Sequence, residues 1–256
     1  MARELDPGRP CAAAQTSHTG TRCRHASAAT MLAGALVAGC AQIAGHADPA
    51  VAQLDRYQRW RDAGRWEAIA AEPPVADCAA GAAAAGCARV DAIYGEANAQ
   101  LAFAARAPQA FCPPPAANDR LQAAAASLGR SVATADPGLA PAAADRLRAL
   151  RVHALYCRAE NAATNDEAAA LLAQVQAESA RLAAPAAPAF WRALVRLFES
   201  RPGAGDSAGR CRAANEAARS AAEAAAAGAD AAQQAVLARV QHDAEQMRRS
   251  LVGCAG

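Results

Sequence analysis

Apolar residues recur along this chain at helical spacing, and proline and glycine cut the pattern into segments of helix length. Asp48-Pro49 reads as an N-cap followed by proline in the first turn, opening a helix to about Asp62 with Gly64 as the break. A second helix starts at Arg65 and stops before Pro73-Pro74. The stretch from Val75 to Gly86 is Ala/Gly-rich, a loop or weak helix. A further helix spans about Arg89 to Arg106, ahead of the break at Cys112-Pro113-Pro114-Pro115. Asn118 to Ala135 follows, stopped by Asp136-Pro137-Gly138. Then comes Ala142 to Ala162, with Leu147, Leu150, Ala154 and Cys157 on one stripe. Thr164-Asn165-Asp166-Glu167 is a capping box that opens a helix lined by Leu171, Leu172, Val175 and Leu182. Ala189 to Ser200 is apolar on most faces and reads as the most buried helix. The last two segments, about Ser207 to Ala227 and Asp230 to Val252, turn at Gly228, and Val236, Val240, Met247 and Leu251 form the inner stripe of the final one. With no convincing strand, the expected fold class is all-α: helical hairpins stacked as an irregular bundle or a divergent repeat-like array.

Composition strengthens that reading. About a third of the 256 residues are alanine, the best helix former, and β-branched residues are scarce. Alanine cores bury little area per residue, so crosslinks are useful.

One segment lies outside the pattern. From Ala26 to Val37 the chain is apolar for about twelve residues, behind Arg22, Arg24 and His25 and ahead of small residues. That length suits a secretory signal and falls short of the ~20 residues a spanning helix needs. A buried core helix and a cleaved signal without lipid are the competing readings. Val37-Ala38-Gly39-Cys40 resembles the bacterial lipobox, in which small residues precede a cysteine. The resemblance implies cleavage before Cys40, a thioether-linked lipid on its sulfur and an acylated new N-terminus. Several acyl chains would hold the protein firmly on a membrane without a transmembrane helix. Ala41 and Gln42 follow where the family's retention signal for the inner membrane would place an aspartate, so the resemblance implies the outer membrane, facing the periplasm.

The expected organisation is therefore a signal over residues 1–39, a lipidated tether over 40–48 and an all-helical periplasmic domain over 49–256. Residues 1–21 are an over-extended start or a disordered leader. Losing the leader changes the charge as well. The whole chain carries 26 basic and 24 acidic residues, and removal of residues 1–39 leaves 22 of each. A neutral chain lacks the electrostatic footprint of nucleic-acid binding.

Nine cysteines are present; Cys11 and Cys23 go with the leader and Cys40 takes the lipid. Six remain in an exported chain: Cys78, Cys87, Cys112, Cys157, Cys211 and Cys254. An even count there reads as disulfides, with fifteen connectivities open. Helical geometry prefers neighbours. Cys78 and Cys87 can close the Ala/Gly loop, Cys112 and Cys157 flank a hairpin turning near Pro137, and Cys211 and Cys254 flank the hairpin at Gly228. Metal or redox chemistry is the alternative, but CxxC and CxxCH are absent from the sequence.

Other chemical signals are sparse. His46 falls in the tether, and His153 and His242 are read as helix-surface or boundary residues. The sequence has no HExxH, phosphate-cradling glycine loop or GxSxG elbow, so no cofactor, metal or catalytic group is assigned. Tyr57, Trp60 and Trp66 form an aromatic group among Arg56, Arg59, Arg61 and Arg65, read as core packing or as a groove for a partner. Ala63-Gly64-Arg65-Trp66-Glu67-Ala68-Ile69-Ala70 resembles the turn between the helices of a tetratricopeptide repeat, with a fainter echo at Tyr94-Gly95. The match covers one turn, and a 34-residue period does not recur.

The leading functional expectation is a non-enzymatic envelope lipoprotein that binds a protein partner or supports an assembly. Two alternatives stand beside it: an enzyme acting on cell-wall material, with acids that converge only in three dimensions, and a small-molecule or lipid-binding bundle with Phe190, Trp191 and Phe198 around a cavity.

Overall fold

The computed structural model describes residues 48–79, 86–134, 139–251 and 253–254. The expected signal, Cys40 and the expected tether up to residue 47 lie outside these residues. Ten α-helices form the described chain: α1 (Pro49–Asp62), α2 (Trp66–Ala71), α3 (Ala76–Ala79), α4 (Cys87–Ala104), α5 (Asn118–Ala133), α6 (Pro141–Glu160), α7 (Asn165–Ser179), α8 (Ala187–Glu199), α9 (Ser207–Ala226) and α10 (Ala231–Ser250). One 3-10 turn, Pro115–Ala117, precedes α5, and no strand occurs among the described residues. The all-α class is as expected. None of these helices is long and apolar enough to cross a membrane.

The helix ends follow the local chemistry. The Asp48 carboxylate accepts from the N–H of Ala50 at 2.9 Å, ahead of Pro49 at the first helical position. At α7 the Thr164 hydroxyl accepts from Glu167 N–H at 3.2 Å. The return bond goes one residue further than a capping box would send it: Ala163, not Thr164, donates to the Glu167 carboxylate. A complete box caps α10 instead, where Asp230 and Gln233 satisfy each other's backbone N–H groups.

From α4 onward each helix packs on the next, and α8 also meets α10. The apolar interior has two parts. The smaller gathers Leu54, Tyr57, Ile69, Val90, Ile93 and Ala97 around α1, α2 and α4. The larger runs from α4 to α10 and includes Leu121, Leu128, Val152, Val175, Trp191, Val195 and Val240. Helix α4 serves both, sending Val90 and Ile93 one way and Ala99 and Ala102 the other. Its contact with α5 is close at Gly95, where an added Cβ would lie 2.7 Å from Leu128 Cγ. The same pair of helices is tied by a bidentate bridge from Arg130 to the buried Asp91, at 2.6 and 3.2 Å.

Three disulfides staple the stack: Cys78–Cys87, Cys112–Cys157 and Cys211–Cys254, with Cα separations of 5.0, 5.2 and 5.5 Å. These are the pairs expected from hairpin geometry. Gln53 adds a polar staple in the smaller cluster. Its amide donates to Pro73 O at 2.9 Å and accepts from Val75 N–H at 2.9 Å, fixing an extended segment that has no ladder of its own.

Candidate functional site

Tyr57, Trp60 and Trp66 all join the smaller cluster. Tyr57 is 0% exposed and its hydroxyl donates to Glu72 O, so it has no surface to offer a partner. Trp60 and Trp66 are half-buried, with Arg65 5.7 Å over the Trp60 ring. Glu72 is held below the usual carboxylate range, first by its hydrogen bond from Arg56. The group is packed against this cluster, with the two indoles partly exposed.

The site with chemical character lies elsewhere, between α6, α8 and α10. A cavity of about 680 Å³ opens there, inside the usual range of small-molecule sites. Its apolar wall comes from Phe190, Leu194 and Leu197 of α8 and from Val236 and Val240 of α10. The fourth side is the segment 105–114 between α4 and the 3-10 turn. It contributes Arg106, Gln109, Ala110, Phe111 and Cys112.

That segment has no helix of its own, yet it is held at five points. Cys112 is bonded to Cys157 of α6. Asn161 donates to Pro113 O at 3.2 Å and to the Asn118 side chain at 3.1 Å. Phe111 O accepts from His153 Nε2 at 3.3 Å, and its ring lies 4.5 Å from the imidazole. Arg239 of α10 donates to Gln109 O at 3.0 Å, reaching across the cavity mouth. Gln109 itself has φ 68°, making it the single non-glycine residue among the described ones in the left-handed region. Such a conformation costs free energy in a residue with a Cβ, and it persists here because its neighbours over-determine it.

Behind Phe111 sits a continuous aromatic group. His153 lies between Phe103 and Phe111, at 4.3 and 4.5 Å, and Trp191 contacts His153, Tyr156 and Phe190. His153 holds the boundary position expected of it, partly exposed in the cavity lining, with its ring packed between the two phenylalanines. Burial lowers its pKa to about 4, and the Arg106 charge adds to the effect; the Phe111 carbonyl opposes it. Neutral imidazole with its proton on Nε2 is the form that Phe111 O requires. Of the three residues proposed for a cavity, Phe190 lines it and Trp191 backs it. Phe198 does not line it; the Arg201 guanidinium covers its ring at 4.8 Å.

Charge is arranged around the apolar wall. Arg201 grips Glu160 with two bonds of 2.6 and 2.8 Å, and Tyr156 donates to the same carboxylate at 2.5 Å. Glu160 is thereby saturated, and the buried Tyr156 hydroxyl is pushed well above its ordinary pKa, first by burial. Arg201 also feels Asp243 from α10. Arg106 and Arg239, by contrast, have only backbone carbonyls as partners among the described residues.

Cys112, His153 and Cys157 place three possible ligand atoms within 4.8 Å of one another. Both sulfurs are committed to the disulfide, so the trio as it stands does not fit a metal. The aromatic loop residue Phe111 was hidden in the sequence by its proline-rich surroundings. An aromatic residue beside Cys112, in a segment whose cysteine must reach another helix, was the one available signal. Comparison with protein-family models, with curated proteins and with solved structures gave no match.

Proposed function

We propose that this chain is a non-enzymatic envelope lipoprotein, anchored through Cys40, whose working part is the cavity between α6, α8 and α10. The observation that carries the reading is the cavity itself: an apolar wall, a charged mouth and a loop held over it at an energetic cost. A small ligand fits this geometry better than a broad protein face does. Val51 is the one large apolar side chain that stands exposed among the described residues, and docking faces between proteins are usually richer in apolar surface. Catalysis by facing acids is less well supported. Glu160 and Asp243 both border the cavity, but Glu160 is spent on Arg201 and Tyr156.

The test is a filled cavity. An environment-sensitive naphthalene dye should bind the full chain at one site with enhanced emission. Val236→Trp should abolish that binding while helicity and Tm stay unchanged. Saturable single-site binding that survives Val236→Trp would defeat the assignment. For the anchor, Cys40→Ser should release the protein from the membrane fraction and end incorporation of labelled acyl chains; unchanged membrane association would refute the lipobox reading.

A further inference from the structure

The chemistry of the cavity mouth says more about the occupant than its volume does. Three arginines and two carboxylates border the cavity. Glu160 is paired with Arg201 through two hydrogen bonds, and Asp243 adds only a longer-range field at Arg201. Three positive charges against two negative leave the lining one positive charge in excess, carried by Arg106 and Arg239, both exposed and neither in an ion pair with a carboxylate among the described residues. One stands on the segment after α4 and one on α10, and both bond to carbonyls of that segment. Each donates a single bond, to Phe111 O at 3.5 Å and to Gln109 O at 3.0 Å, so most of their N–H groups remain available. Below them the wall is aromatic and aliphatic.

We propose that the cavity takes a monoanionic amphiphile of the fatty-acid type, with its carboxylate between Arg106 and Arg239 and its hydrocarbon chain along Phe111, Phe190, Leu194 and Val236. The inference rests on the reading of the cavity as a ligand site. A guanidinium presents a planar fork of donors that matches a carboxylate with two parallel bonds. The bound head group leaves the left-handed turn at Gln109 in place, because Arg239 can keep its bond to Gln109 O while a second nitrogen meets the ligand. A cationic head would meet these arginines, and a neutral head would forgo them. The apolar part contributes affinity in proportion to the methylenes it hides from water. About 680 Å³ accommodates one such chain and excludes a folded helix or a lipid with several long chains.

The experiment is calorimetric titration of the purified full chain, disulfides intact, with octanoate, octanol and octyltrimethylammonium at low ionic strength. Octanoate should bind about five- to tenfold more tightly than octanol, the worth of a charge-assisted contact at an exposed mouth. Added salt should shrink that ratio. Arg106→Gln alone should reduce it, and Arg106→Gln with Arg239→Gln should bring it close to one. Because Arg106 makes only one long bond to the fold, its variant keeps the test open if the double variant is unstable. Equal binding of octanoate and octanol in the wild type would overturn the anionic head group and leave the cavity reading intact. Preference for octyltrimethylammonium would overturn it too, pointing to Asp243 as the head-group partner. Absence of binding by all three, with no dye binding that Val236→Trp removes, would bring down both.

Discussion

His153 shows how one side chain ties the site to the stability of the fold. Its folded pKa of about 4 lies below the ordinary 6.5. An unfolded chain therefore binds a proton that the folded chain refuses. Stability is fully present above pH 6.5 and is lost as pH falls from there toward 4. At pH 5 the loss should be about 2 kcal/mol, or about 4–8 °C in Tm for a domain of this size. Glu72, whose pKa is lowered by Arg56, acts in the same direction but only below 4.5. Asp91, raised by burial, acts in the opposite sense. Thermal melts at pH 7.5 and pH 5 thus report mainly the imidazole, and His153→Phe should flatten the difference between them. An equal drop in the variant would mean that His153 is not the group responsible. Residues of this kind are the least legible in sequence. A histidine in mid-helix carries no mark of what a loop forty residues earlier will stack on it. Gln53 is similar, since its polar side chain serves a backbone segment made irregular by Pro73 and Pro74.

At the scale of elements much more was legible, for a physical reason. Helix ends are decided locally, by Asp48-Pro49, Thr164 and the glycine turns, so boundaries lie within two or three residues of those expected. Disulfide partners follow from helix order once hairpins are assumed, because antiparallel neighbours return the chain to the same end. The three bonds should not be equal in worth. Cys78–Cys87 spans nine residues, whereas Cys112–Cys157 spans 45 and Cys211–Cys254 spans 43. On loop entropy alone the short one contributes about 2.5 kcal/mol and each long one about 4 kcal/mol. Paired serine substitutions, measured by urea unfolding, should rank in that order. Cys112→Ser with Cys157→Ser should in addition abolish dye binding, since the segment 105–114 loses its covalent hold. What sequence could not reveal was the closeness of α4 and α5. Gly95→Ala should cost about 1–3 kcal/mol, because Leu128 occupies the space that a Cβ needs. Leu128→Ala in the same chain should recover part of that loss, a coupling that a double-mutant cycle reads directly.

For the whole molecule the question is whether two apolar clusters make one cooperative unit or two. A stack in which each helix touches only its neighbours can unfold piecewise, as repeat arrays do when their interfaces are weak. Here α4 contributes to both clusters, and the Asp91–Arg130 bridge and the Gly95–Leu128 contact lock it to α5. The described residues from Asp48 to Cys254 also form one compact unit. Losing the smaller cluster would strip one face of α4 and expose Val90, Ile93 and Ala97 while its other face remained docked. That half-exposed helix is a costly intermediate, and its cost is what enforces cooperativity. The tryptophans are placed to test it. Trp60 and Trp66 report the smaller cluster, and Trp191 the larger. In urea, Trp191→Phe leaves the first pair as reporters, and Trp60→Phe with Trp66→Phe leaves the single one. Once each midpoint is referred to the variant's own far-UV transition, both reporters should coincide with the loss of helicity. An earlier transition seen only through Trp60 and Trp66 would mean that α1, α2 and α3 are a separable cap on a bundle that stands without them.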